Sequence, residues 1–332
     1  MNKRGTAAGS APPSPGPAGR LLRWLDEPPA PHVVCEITAE GVCAARTAGR
    51  GRRALESHAF EPLPEGALVP TPVEPNVLSA EAVGGALDAV LARVNGHGAE
   101  VALIIPDQVV RVFLLQFDAF PKKAQEAEPL LRFRLRKSLP FDSEDSSVSY
   151  TVQPVGPPTA PAGTVHVLAG VAQRKIIRQY EELLEARQKR AGVVISSTLA
   201  ALPLVDDRRP ALLARQAGNS LTTVIARGGV LAVYRCTQVP ATAETLAAQT
   251  LLDEIYPAAA YFQDIWNESV AEVRLAGFGA RAEEFREPLE AELRCNVSPV
   301  VASAALEERL AGEARSLVDR RLEAIVGWMQ PG

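Results

Sequence analysis

The chain has 332 residues, of which 47% are hydrophobic and 22% charged. That is room for about two domains and too apolar for a wholly disordered chain. Its 39 acidic and 35 basic residues leave a net charge of −4, which argues against a protein that wraps nucleic acid through charge. The four cysteines (Cys35, Cys43, Cys236, Cys295) contain no CxxC pair, make no disulfide framework and fit a reducing compartment. No apolar run reaches the 18 or so residues of a membrane span.

Residues 1–19 are rich in Pro, Gly, Ala and Ser, and no apolar core follows Lys3 and Arg4. This is a disordered tail rather than a secretory signal, and the reading is cytoplasmic. A short island follows, with Leu21, Leu22, Trp24 and Leu25 among Arg20 and Arg23, stopped by Pro28, Pro29 and Pro31. It reads either as a turn packed on the domain or as a basic-aromatic foot on a membrane or partner.

Strand patterns occupy 32–37 and 42–47, then a basic turn at 50–53 and a proline-rich loop over 61–78. Ser79 and Glu81 start a helix over 79–94, with Val83, Leu87, Val90, Leu91 and Val94 on one face. The runs 101–105 and 109–117 flank Pro106 and read as a hairpin. In 125–139, Leu131, Phe133 and Leu135 alternate with Arg132, Arg134 and Arg136 as in a strand. Pro129 at a first helical position, with Glu126 and Glu128 before Lys137, favours a helix instead.

Strands are expected near 147–153 and over 165–172, a helix over 174–190 and a short helix over 197–204. Three strands follow at 212–215, 222–227 and 230–235, with Gly228-Gly229 turning the last pair. A helix over about 243–266 contains Pro257. A strand at 270–276, a helical stretch at 281–293, a strand at 297–301 and a last helix over about 304–328 complete the chain. The interleaving makes the class α/β or α+β, and no repeat of fixed period stands out.

Little of this carries catalytic or metal chemistry. His58, His97 and His166 stand alone, and His32 and Cys35 point to opposite faces of a strand. There is no GxSxG elbow and no GxxxxGK[ST] loop. Gly277-Phe-Gly279-Ala280 lies between a strand and a helix, where a nucleotide loop would lie, and is by itself a weak signal. The Arg132/Arg134/Arg136/Lys137 cluster is a solvated helix face or a surface for an acidic partner or phospholipid heads.

Several stretches in order resemble the type IV pilus assembly protein PilM family. They are Val101-Ala-Leu-Ile-Ile-Pro106, then 109–117, Phe120-Pro121, 130–139, and Pro140-Phe141 followed by Asp142, Glu144 and Asp145. Further on come Ala191 to Ala201, Leu252-Asp-Glu-Ile255 with Tyr261-Phe262, Val273 to Ala280, and Ile325-Val-Gly-Trp328. The resemblance covers roughly residues 32–328.

It implies an α/β, actin-like (ribonuclease-H-like) fold of two lobes about a cleft, with an inserted α+β sub-domain and a reduced second lobe. The expected division is 1–31 tail and island, 32–98 first lobe, 99–190 inserted sub-domain, 191–210 return to the first lobe, 211–303 second lobe, and 304–332 a C-terminal helix on the first lobe. By resemblance the chain sits at the inner face of the inner membrane and serves pilus assembly and twitching motility. It would bind the cytoplasmic tail of PilN, be linked through it to PilO and PilP, and communicate with the motor ATPases, with no nucleic-acid partner.

The expected tail-binding groove lies between the inserted sub-domain and the first lobe, with Leu131, Phe133, Arg134, Leu135, Arg136 and Phe141 as wall residues. Many members of the family bind ATP, and here the matching positions depart from what ATP needs. In Glu36-Ile-Thr-Ala-Glu-Gly41, Thr38 replaces a glycine and Glu40 adds charge. In Gln216-Ala-Gly218-Asn219 the Mg²⁺-orienting carboxylate is missing. The connection after Tyr234-Arg235 is short where the family inserts ribose- and base-binding residues. Glu36, Thr38, Gln216, Gly218, Gly277 and Gly279 therefore mark a degenerate cleft, without catalysis and without an expected cofactor. The alternatives are a working actin-like ATPase using ATP and Mg²⁺, and a GspL-like cytoplasmic component of type II secretion.

Overall fold

The computed structural model describes residues 31–48, 54–95, 98–301 and 320–330. The expected tail, island, 50–53 turn and most of the last helix lie outside these residues. β1 (Val33–Ile37) is buried along its whole length and is followed by β2 (Gly41–Ala48) and β3 (Ala54–Pro62). Residues 54–60 carry no clear strand pattern in sequence. Glu56, Ser57 and His58 interrupt the apolar rhythm, and pairing with β2 defines β3 instead. Helix α1 (Ala80–Arg93) starts where its cap predicts: Ser79 Oγ accepts from the Ala82 amide at 3.2 Å. It buries Val83, Leu87, Val90 and Leu91 against the sheet.

β4 (Glu100–Ile105) lies parallel to β1, and β8 (Arg190–Ser196) lies parallel to β4. The first sheet therefore runs β3-β2-β1-β4-β8. This overturns the expected hairpin about Pro106. Both edges of β4 are taken by β1 and β8, so the next strand has no room beside it. Pro106 and a 3₁₀ turn at Asp107–Val109 redirect the chain into β5 (Arg111–Phe117), which belongs to another sheet.

That second sheet is the three-stranded antiparallel array β5-β7-β6, with β6 (Ser146–Gln153) and β7 (Val165–Gln173). Helix α2 (Ala124–Leu135) covers one face of it. Pro129 sits inside α2 rather than at its first position, where the hydrogen bond it forfeits is to a carbonyl of the exposed first turn. Helix α3 (Arg174–Glu185) returns to the first sheet and buries Ile176, Ile177, Tyr180 and Leu184. The proline-rich loop is anchored there: Tyr180 donates to Asn76 Oδ1 at 3.1 Å, and Asn76 Nδ2 holds the Thr71 and Glu74 carbonyls. After β8 comes the short helix α4 (Ser197–Ala201).

The third sheet repeats the first. β9 (Ala211–Ala217), β10 (Ser220–Arg227) and β11 (Val230–Gln238) form an antiparallel meander, and β12 (Glu272–Ala276) and β13 (Asn296–Pro299) add in parallel beside β9. Its order, β11-β10-β9-β12-β13, matches the first sheet strand for strand. Helices α5 (Ala248–Trp266), which carries Pro257 within it, and α6 (Arg286–Leu293) supply Ile255, Phe262, Trp266 and Leu289 to its core.

The chain then crosses back: α7 (Glu323–Trp328) packs against α4 and β1. Gly327 makes that crossing possible, since a Cβ there would lie 2.2 Å from the Ala200 carbonyl oxygen. Two sheets of one topology, each with three antiparallel strands followed by two parallel ones, define the actin-like, ribonuclease-H-like α/β fold, with the β5-β7-β6 sub-domain inserted in the first half.

Candidate functional site

In open α/β sheets, binding residues collect at the carboxyl ends of the strands. Both lobes obey this. Glu36 lies near the end of β1, Asp107 just past β4, Ser197 and Thr198 just past β8, Arg215 and Gln216 near the end of β9, and Gly277 just past β12. All meet in the cleft between the lobes.

The centre of the cleft is ionic and buried. Arg215 is 2% exposed and Glu36 not at all, and Arg215 Nη2 lies 3.1 Å from Glu36 Oε1. Nη1 donates to Ser197 Oγ at 2.7 Å and lies 3.7 Å from Asp107 Oδ2. Asp107 also accepts from the Thr198 amide at 2.9 Å and from the Thr198 hydroxyl. From the other lobe it accepts from the Thr222 hydroxyl at 3.1 Å and Tyr234 at 3.3 Å. Asp107 and Arg215 thus each bridge the lobes.

Burial pushes the Glu36 carboxyl up to about 7, with Arg215 opposing and Glu323, Asp107 and Glu40 adding to the rise. Burial raises Glu323 as well, against the pull of Arg215. Burial beside a single guanidinium thus favours the neutral form of both Glu36 and Glu323.

The six residues marked in the sequence as cleft positions lie around this core. The backbone amide and hydroxyl of Thr38 both bond to the Gly41 carbonyl, at 2.9 and 3.0 Å. Gln216 Nε2 holds the Gly218 and Ala241 carbonyls. Gly218 has φ +55° and faces Glu40: a Cβ there would lie 3.3 Å from Oε1. Gly277 has φ +79°, and a Cβ on it would lie 1.9 Å from the Gln216 carbonyl oxygen, so only glycine fits. Its amide donates to Glu323 Oε1 at 2.8 Å. Gly279, with φ +55°, lies beside Arg321.

Thr38, Gln216 and the Gly277 amide are thus engaged within the chain, and a side-chain carboxylate stands at the glycine-turn amide. Among the described residues no group of three or more His, Cys, Asp or Glu is placed to hold a metal ion. A cavity of about 310 Å³ remains at the mouth, between Phe60, Glu40, Gly218, Arg320 and Arg321. Arg320 lies over the Phe60 ring at 5.1 Å and Arg321 pairs with Glu244.

Sequence reasoning missed Arg215, Asp107, Ser197, Thr198 and Glu323. One signal was available: Arg215 ends the apolar run Ala211-Leu-Leu-Ala214, where a charge needs a buried partner.

A second site lies between the inserted sub-domain and the first lobe. An apolar groove of about 440 Å³ runs past Val112, Leu168 and Gly170 on one side and Ile177, Val193 and Ile195 on the other. β8 closes the first sheet and β6 closes the three-stranded sheet, so each is paired on one side within its sheet. Consecutive residues of both, 147–151 and 193–196, line the groove. Two strand edges therefore face it.

The wall residues expected from sequence are elsewhere. β5 and β7 alternate, sending Phe113, Leu115, Val167 and Ala169 to the face covered by α2, and Val112, Leu168 and Gly170 to the groove. Leu131 and Leu135 are buried in the α2 core, and Phe141 packs against it. Arg134 and Phe133 are exposed on α2 and Arg136 just past its end, with the Phe133 ring 5.5 Å from the Arg136 guanidinium.

Two lobes of one topology, a shared cleft and an insertion after the fourth strand give the chain an actin-like fold. No protein-family model matches the sequence, and no curated protein matches it. Among solved structures, the chain is similar to one titled as a PilM–PilN type IV pilus biogenesis complex. The match has 18% identity and a TM-score of 0.70, and covers 91% of this chain and 98% of that one. The chain has that fold. Weaker matches are the cytoplasmic domain of EpsL, an inner-membrane component of the type II secretion system of Vibrio cholerae (13% identity, TM-score 0.45, 74% and 81% covered), and a Bacteroides thetaiotaomicron protein with an actin-like ATPase fold and unknown function (13%, 0.46, 84% and 94%).

Proposed function

We propose that this protein is an adaptor of type IV pilus assembly, not an enzyme. It takes the extended N-terminal tail of a PilN-like membrane protein into the groove between β6 and β8. The observation that carries this reading is the pair of strand edges on one apolar groove. An extended peptide there gains main-chain hydrogen bonds from an edge and places alternate side chains in apolar pockets. The likeness to a PilM–PilN complex supports the choice of partner.

Among the described residues no helix is long and apolar enough to cross a membrane. The protein reaches the cytoplasmic face of the inner membrane through that partner, and through it PilO, PilP and the motor ATPases, in a machine that drives twitching motility. The cleft serves as a rigid joint: its buried ions hold the lobes where a nucleotide would otherwise bridge them. A nucleotide-binding reading keeps one observation, the cavity at the cleft mouth beside Arg320 and Arg321.

The test is binding of a fluorescent peptide of the PilN-like tail by polarisation. Val193→Asp places a charge on the β8 wall and weakens binding at least about tenfold, a cost of about 1.4 kcal/mol. Tail binding unchanged by Val193→Asp and by Leu168→Asp would remove the groove from the interface.

A further inference from the structure

The outer face of α2 is used neither by the groove nor by the cleft. Phe133 is 71% exposed, more than any other large apolar side chain among the described residues. It stands opposite the Leu131 and Leu135 stripe that α2 buries. Arg134, Arg136 and Lys137 are exposed around it, and Lys122 and Lys123 are exposed where the helix begins. None of these five cations makes an ion pair among the described residues. Glu128 is engaged by Arg132 at 3.3 Å, which leaves Glu126 as the exposed acid of the helix. Arg136 lies over the Phe133 ring. A chain of net charge −4 has here gathered unpaired positive charge about one outward aromatic ring.

The geometry points to a docking face for an anionic phospholipid bilayer. Phe133 and Arg134 lie on α2 and the other cations at or just beyond its two ends; of these residues Lys137 alone lines the neighbouring cavity of about 450 Å³, and Phe133, Arg134 and Arg136 stand outside it. A bilayer supplies what the face can use. Its phosphates form a plane for cations on long, flexible stems, and its headgroup layer accepts one aromatic ring beside them. The attraction is local, since the protein as a whole carries the same sign of charge as the membrane. This inference does not rest on the groove: α2 covers the opposite face of the β5-β7-β6 sheet, and the two surfaces separate in experiment.

The test uses the full chain and co-sedimentation with vesicles. One set is pure phosphatidylcholine and the other about one-third phosphatidylglycerol. The protein is expected to sediment with the anionic set alone, and to be released when salt is raised to about 0.5 M. Arg134→Glu with Arg136→Glu lowers the bound fraction about tenfold, and Phe133→Ser lowers it several-fold. Both changes are on an exposed face, so unchanged circular dichroism and thermal midpoint exclude misfolding.

Equal binding to the two vesicle sets, or undiminished binding by the double variant, would overturn the inference. So would a concentration-dependent mass in sedimentation velocity that the double variant abolishes, since the face would then belong to a second copy of the chain. Failure of the tail peptide to enter the groove leaves the vesicle result unaffected.

Discussion

Arg215 of the second lobe meets Glu36 of the first at 3.1 Å, across 179 residues of sequence, with both side chains removed from solvent. Each sits on the first strand of its sheet, so the contact ties the two equivalent halves of the fold at their centres. Glu36 Oε2 and Arg215 Nε find no hydrogen-bond partner among the described residues. The pair is held by charge rather than by full hydrogen-bond satisfaction, and removing one member leaves the other exposed to a low-dielectric interior.

Arg215→Ala is therefore expected to destabilise the protein by about 3–5 kcal/mol in urea unfolding, because Glu36 and Asp107 lose their shared cation. Arg215→Met with Glu36→Gln removes both charges and recovers most of that loss. A double variant no more stable than Arg215→Ala would show that the pair does not act as a unit.

The Glu36 carboxyl gives the fold a pH dependence of definite sign. Burial lifts it to about 7 in the folded state, above the ordinary glutamate value of about 4.5. The folded state therefore holds a proton that the unfolded state releases first, and the contribution is complete below about pH 4.5 and lost as pH rises through 7. By linkage the loss is about 3 kcal/mol. Thermal melts from pH 5 to pH 8 should show wild type losing stability relative to Glu36→Gln, and parallel curves would contradict this.

Gly327→Ala should cost about 1–3 kcal/mol, since the added Cβ meets the Ala200 carbonyl oxygen at 2.2 Å and forces α7 off α4. Gly85, in the exposed part of α1, has open space around a Cβ, so Gly85→Ala serves as the comparison and should stabilise α1 by about 1 kcal/mol. Chemical denaturation of the two variants checks both signs.

Local chemistry was legible in the sequence where local chemistry decides. The Ser79 cap and the spacing of Val83, Leu87, Val90 and Leu91 placed α1, and Gly228-Gly229 placed the turn between β10 and β11. The failures are non-local. Nothing near Pro106 reveals that both edges of β4 are occupied, so a false hairpin was the natural reading. β3 exists through its register with β2, not through its composition. The repeat of strand order between the lobes is invisible as a sequence period because β5, β6 and β7 interrupt one copy. Gly277 and Gly279 stand out by their strand-turn setting, and Gly218 only through the family resemblance. Asp107 and Glu323 gave no local signal, because each owes its role to partners in distant segments, and Arg215 showed only as a charge at the end of an apolar run. Leu131 and Phe133, two residues apart, face core and solvent, a distinction that follows from α2 being a helix and fails in the strand reading.

In the proposed function the chain's own ions and carboxylate hold the place of a nucleotide in the cleft. Titration of the purified protein with a fluorescent ATP analogue and Mg²⁺ tests it most directly. The account predicts no saturable signal at micromolar concentration, in wild type and in Thr38→Ala alike. Saturable micromolar binding, competed by unlabelled ATP and altered by Arg320→Glu or Gly218→Val, would contradict it.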